Sequence, residues 1–212
     1  DGIITNYGEG QGLNSNFISS LTEGPEGKLW IGTMNGLYLY NESKFYHFNA
    51  QDGLPSNAVY QVLFTPQNNL LVCTSGGVVH HQNGRFVLVS DYAGNTFKEL
   101  ILSAKRMDQD RILLMSEKEL YVLKDEKVKP FLSSDAFGDQ TLTAIEWDRT
   151  EKLWVSTLEG SIYYYDSAQR EIHRIDDLYE LPSMMIFSMI FADDGSLLLG
   201  TQKGLTRLFF YE

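Results

Sequence analysis

Apolar residues fall along the chain in short runs rich in β-branched and aromatic side chains, broken by Gly, Pro, Asn and Asp. Runs of this length and make-up predict β-strands. The first set spans residues 16–22, 28–33, 37–40 and 44–48, with turns at Glu23-Gly-Pro-Glu-Gly27, Met34-Asn-Gly36 and Asn41-Glu-Ser43. No stretch sustains a helical period, although residues 172–185 leave helix or strand open.

The pattern then repeats. Gly27-Lys-Leu-Trp-Ile-Gly-Thr33, Asn68-Asn-Leu-Leu-Val-Cys-Thr74, Asp110-Arg-Ile-Leu-Leu-Met-Ser116, Glu151-Lys-Leu-Trp-Val-Ser-Thr157 and Gly195-Ser-Leu-Leu-Leu-Gly-Thr201 each end on a hydroxyl residue. Successive hydroxyls lie 41, 42, 41 and 44 residues apart. The register predicts further positions: three residues on stand Gly36, Gly77, Glu119, Gly160 and Gly204, four of them glycines suited to positive φ in a tight turn. Fifteen residues before the hydroxyl stand Ile18, Val59, Ile101, Leu142 and Ile186, and twelve before it Leu21, Val62, Ala104, Ile145 and Met189, all apolar. Pro55 and Pro182 coincide between repeats, Pro25 and Pro66 fall in first turns, and Pro130 falls on a fourth strand, where an outer edge tolerates a missing amide donor.

Four antiparallel strands at a period of 40–45 residues predict an all-β fold, a β-propeller of four-stranded blades in five repeats of about 42 residues. The blades are expected at residues 16–49, 57–90, 97–132, 141–176 and 184–212, the last lacking its outer strand. Residues 1–8 would supply an outer strand to another blade or to the last one. Such a strand could close a five-bladed ring; the alternative, favoured because five is an uncommon ring size, is part of a larger, seven-bladed propeller. Leu29, Trp30, Leu153 and Trp154 are expected to pack between blades.

The 212-residue chain carries 17 basic and 28 acidic side chains, a formal charge of −11. That balance argues against nucleic acid or an anionic membrane surface as partner, since both require clustered Lys and Arg. The single cysteine, Cys73, excludes an internal disulfide framework. The longest apolar run, residues 184–192, is about half of the ~20 residues a spanning helix needs, so no membrane contact by this region is expected.

Signals for catalysis are sparse. His47, His80, His81 and His173 fall on third or fourth strands of different blades and read as surface-strand positions rather than metal ligands. Glu23, Glu26, Asp108, Asp110, Asp148, Glu151, Asp193 and Asp194 recur at one blade corner, where Asp side chains bonding nearby amides account for them better than calcium does. No nucleophile elbow, phosphate-cradling loop or Cys/His pair is present, and neither metal nor cofactor is expected. Asn16 and Asn57 read as caps of the approach to the first strand.

The order Gly-Leu-x-Ser-Asn, apolar strand, turn, then Gly-x-Leu-Trp-Ile-Gly-Thr-x-x-Gly-Leu-x-x-Tyr resembles the two-component regulator propeller repeat. The likeness is fullest in residues 12–40, good in 53–79, 153–165 and 195–205, and weak in the third copy. It implies a periplasmic or extracytoplasmic sensor of a hybrid two-component system histidine kinase of the Bacteroidetes type, membrane-tethered in the full-length protein and acting as a homodimer. It further implies a small-molecule or oligosaccharide ligand, while any kinase would lie outside this chain. In propellers a ligand sits against the loops leading into first strands and those between second and third strands. Here those loops offer Asn14, Asn35, Glu117, Lys118, Glu159, Gln202 and Lys203 as ligand-binding candidates, none of them catalytic. Tyr46, Tyr92, Tyr164 and Tyr179 are expected to pack on outer strands, with sugar stacking as the alternative. A propeller lyase or glycan-cleaving enzyme and a protein-interaction scaffold are the competing functions.

Overall fold

The computed structural model describes residues 2–175 and 185–210. Pro182, Tyr179 and Met184 lie outside the described residues, as does most of the stretch left open between helix and strand.

Among the described residues twenty strands form an all-β propeller fold. The first sheet holds β1 (Ile18–Glu23), β2 (Leu29–Thr33), β3 (Gly36–Asn41) and β4 (Lys44–Phe48) in chain order. The second holds β5 (Val59–Phe64), β6 (Leu70–Thr74), β7 (Gly77–Gln82) and β8 (Arg85–Leu88). A two-residue strand, β9 (Ser90–Asp91), precedes the third sheet of β10 (Ser103–Arg106), β11 (Ile112–Met115), β12 (Glu119–Lys124) and β13 (Lys127–Ser133). The fourth comprises β14 (Leu142–Trp147), β15 (Lys152–Thr157), β16 (Ile162–Asp166) and β17 (Glu171–Arg174). The fifth has three described strands, β18 (Ile186–Phe191), β19 (Leu197–Thr201) and β20 (Gly204–Leu208).

The recurring hydroxyl has a structural task. Thr33 Oγ1 donates to the Gly36 carbonyl at 2.8 Å and accepts the Asn35 amide at 3.0 Å, closing the turn between second and third strands from inside. Thr74, Ser116 and Thr201 repeat this with Gly77, Glu119 and Gly204. The fourth copy is one residue longer, so the Thr157 hydroxyl accepts the Ser161 amide at 3.2 Å and donates to Gln140 Oε1 at 2.6 Å. Gly36, Gly77, Gly160 and Gly204 all take positive φ, between 89° and 125°, as the turn requires. A register shift between the first and second strands recurs at Ile18/Ser20, Val59/Gln61, Leu142/Ala144 and Ile186/Ser188, bending each first strand at one repeat position.

The chain divides into two compact units, Asp1–Leu114 with Leu123–Lys129, and Met115–Val122 with Pro130–Glu212. In the first unit Trp30, Leu37, Leu54, Val59, Val62, Leu70, Val72 and Val79 form one apolar cluster, with Phe48 and Phe86 against it. Trp30 thus packs between the first and second blades. Truncating such a side chain costs about 3–5 kcal/mol. In the second unit Trp154 plays the same part among Ala144, Ile162, Ile186, Met189 and Leu199. Val59, Ile101, Leu142 and Ile186 are buried as the register predicts, whereas Ile18 is 40% and Leu21 62% exposed. These two belong to β1, which has no preceding blade in its unit to cover that face.

Residues 2–7 adopt no regular strand, and Tyr7 instead packs edge-on against Tyr40 and Phe45 of the first blade, its hydroxyl 2.9 Å from that of Tyr40. Nor is the fourth strand of the third sheet a free edge throughout. β9 pairs in parallel with it through Ser90 with Lys127 and Asp91 with Val128, and Pro130 falls just past these positions, where no donor is needed.

Candidate functional site

In the first unit the structure brings Asn14 and Asn35 together. The Asn35 side-chain amide donates to the Asn14 carbonyl at 3.1 Å, tying the loop before β1 to the β2–β3 turn. Behind them His47 Nε2 lies 2.7 Å from the Asn35 carbonyl, and its ring stacks on Tyr38 with centroids 4.4 Å apart. Tyr38 is fully buried, and its hydroxyl has no hydrogen-bond partner among the described residues. Burial pushes this phenol above its ordinary pKa, and the Asn14 backbone facing it, though short of hydrogen-bond geometry, acts in the opposite direction.

In the second unit one loop, residues 134–142, gathers three more candidates. The Ser134 amide donates to the Lys118 carbonyl at 2.8 Å and the Leu142 amide to the Glu117 carbonyl at 2.9 Å. Lys118 Nζ donates to the Asp139 carbonyl at 3.0 Å and lies 3.6 Å from its carboxylate. The turn carrying Glu159 is hung from the same loop by the Leu158 amide, 2.8 Å from the Thr141 carbonyl. Gln202 and Lys203 are exposed at the β19–β20 turn, which the Gln202 amide ties to the Met185 carbonyl at 3.1 Å. Each group therefore presents amides and charges to solvent from a turn fixed by backbone hydrogen bonds. That chemistry suits exchange of hydrogen bonds with a polyhydroxylated ligand.

Among the described residues no three His, Cys, Asp or Glu side chains meet in a metal-holding group. The acidic corner is occupied by local turn bonding. Asp148 Oδ1 accepts the Thr150 and Lys152 amides at 2.7 and 3.0 Å, and Asp108 Oδ1 accepts those of Asp110 and Arg111. Asn57 Oδ1 accepts the Ala50 amide at 3.0 Å, a loop-capping contact. Tyr46 and Tyr92 are exposed, while Tyr164 packs on Trp154 and stacks on His173.

One histidine departs from expectation. His80 is not a surface residue but only 5% exposed, because its partner across the β6–β7 ladder is Leu71 on a strand buried along its whole length. Burial also holds the His81 ring below its ordinary pKa.

Comparison with known proteins follows the same lines. The family model named two component regulator propeller matches residues 12–35. Those residues run from Gly12 through the Asn14–Asn35 contact. The fold is similar to the extracellular domain of a putative hybrid two component system of B. thetaiotaomicron, at a TM-score of 0.76 and 20% identity over 92% of this chain and 28% of that one. The extracellular domain of a second such B. thetaiotaomicron system is similar at a TM-score of 0.57 and 19% identity, over 96% and 35% of the two chains. Virginiamycin B lyase from Staphylococcus aureus is similar at a TM-score of 0.64 and 12% identity, over 91% and 69%. The chain thus spans about a third or less of the two extracellular domains. No curated protein matches it in sequence. Among the described residues no helix is long and apolar enough to cross a membrane.

Proposed function

We propose that this chain is a ligand-sensing propeller of an extracytoplasmic, two-component signalling receptor, that its ligand is a carbohydrate fragment, and that it signals through a homodimer rather than by catalysis. One observation carries the reading: the segment that matches the regulator-propeller model, residues 12–35, contains the two asparagines that the fold clamps together at the loop end of the first blade. Asparagine carboxamides both donate and accept, as sugar hydroxyls require, and the Asn35 side chain, already held on the Asn14 backbone carbonyl, loses little freedom on binding.

The likeness to virginiamycin B lyase favours a second reading, cleavage of a bound ligand. A thermal-shift screen of the purified protein against an oligosaccharide panel, with product analysis of every hit, separates the two. The sensor reading expects a selective rise in melting temperature with the sugar recovered intact; a ligand at a hundred times its Kd stabilises the native state by ~2.7 kcal/mol. Cleaved product would transfer the assignment to an enzyme, and a flat panel with a co-purifying protein would transfer it to a scaffold.

A further inference from the structure

Within the first unit, at the end of the blades opposite the β6–β7 turn, a cavity of about 340 Å³ opens between the second blade and the β11–β12 part of the third. Part of its wall is aliphatic, with Leu71, Val89, Ile112 and Leu123 all buried, and Thr65, Gln67 and Asn69 add polar groups. Into it faces His80, whose side chain is 7% exposed and neither of whose ring nitrogens has a hydrogen-bond partner among the described residues. A buried imidazole costs free energy while its nitrogens lack partners, so the cavity is one in which a polar ligand atom is favoured.

The mouth has a definite charge. Asp110, Asp125 and Glu126 stand there against a single cation, Lys124, which Asp110 engages at 3.7 Å. Glu126 Oε1 lies 3.6 Å from His80 Nε2, too far for a hydrogen bond between them. The backbone that carries Glu126 is held by the short parallel strand β9, since the Ser90 amide donates to the Glu126 carbonyl at 3.3 Å and Lys127 Nζ donates to Ser90 Oγ at 2.8 Å.

We propose that this cavity binds a small organic cation, an ammonium group on a short alkyl body, at a second site distinct from the loop candidates. A nitrogen about 2.9 Å from both His80 Nε2 and Glu126 Oε1 fits the 3.6 Å gap between them, donating one N–H to the ring nitrogen and one to the carboxylate. The alkyl chain would lie on the four aliphatic side chains. An anion is opposed by the excess of carboxylates, and a sugar finds no Phe, Tyr or Trp ring in the described lining on which to stack.

The test is titration calorimetry of the purified chain with n-butylamine and 1,4-diaminobutane, against 1,4-butanediol and butyrate as probes of equal length. The amines should bind and the other two should not, and the amine should move the His80 ring signals in nitrogen NMR spectra. Glu126→Gln, in a half-exposed turn, should weaken amine binding roughly tenfold or more by replacing a charged acceptor with a neutral one. Glu42→Gln, in the corresponding turn of the first blade, should leave it unchanged. The proposal is overturned by amine binding no tighter than diol binding, by the absence of binding, or by equal affinities in the wild type and Glu126→Gln.

Discussion

The Ser20 hydroxyl oxygen accepts the Val62 amide at 3.0 Å across 42 residues of chain, one full repeat. It joins the first strands of successive blades, β1 and β5, beside a second link in which Ser19 Oγ donates to the Val59 carbonyl at 2.6 Å. The next pair of blades uses Gln61, whose Oε1 accepts the Ala104 amide at 3.0 Å across 43 residues. Each of these first strands is an edge of its own sheet, so its outward backbone groups have no ladder neighbour, and polar side chains on the adjacent blade take them up. Replacing Ser20 with Ala removes the acceptor of a half-buried amide. The expected loss is about 1–3 kcal/mol, read as a lower urea midpoint at unchanged slope.

The turn glycines should differ in sensitivity although they share a backbone conformation. A Cβ at Gly36 would come within 2.5 Å of the Phe48 carbonyl oxygen and of His47 Nε2, whereas at Gly204 nothing lies within 4 Å. Both positions carry the cost of positive φ, about 1–3 kcal/mol. Gly36→Ala should therefore lower the melting temperature clearly more than Gly204→Ala, and equal effects would contradict the close approach described.

Stability should fall in acid. The side-chain bond from Ser196 lowers the Asp194 pKa, and that from Asn95 lowers the pKa of Asp91. Burial pulls Asp148 upward, but donation by the Trp154 indole at 2.9 Å and by the Lys152 and Thr150 amides leaves it below the ordinary value. A carboxyl depressed in the folded state stabilises fully above its unfolded pKa of about 3.9, and that contribution disappears as pH falls through the folded value. Denaturation midpoints should thus be level above about pH 5 and drop below pH 4. In Asp148→Asn the drop should be shallower, from a lower starting stability.

Cys73 should be chemically silent until the protein unfolds. It is fully buried on β6, and burial pushes its thiol up to about 12. Without thiolate or access, a disulfide reagent should show no fast reaction in native buffer and one equivalent of thiol in denaturant.

How much of this was legible in the sequence depends on the range over which each feature is determined. The blades were, because a hydroxyl closing a turn onto a positive-φ glycine three residues on is a local device, and it recurs at Thr33, Thr74 and Thr201. Its hydrogen bonding was not, since spacing fixes a register without assigning atoms. The Asn14–Asn35 contact joins residues 21 apart, so the candidates could be named by loop but not paired. The burial of His80 left no trace: β7 reads Gly77-Val-Val-His-His, without the alternation that marks an outward position. The parallel pairing of β9 with β13, which holds the backbone that carries Glu126, joins segments nearly a repeat apart that no short pattern connects.

Sensing without turnover at the loop end of the blades can be checked by titrating the best oligosaccharide from the screen into wild type and Asn35→Ala. Saturable binding with intact sugar recovered, weakened at least tenfold in Asn35→Ala while the melting temperature of the free protein barely moves, is the predicted result. Unchanged affinity in the variant, or sugar cleaved during the titration, would contradict it.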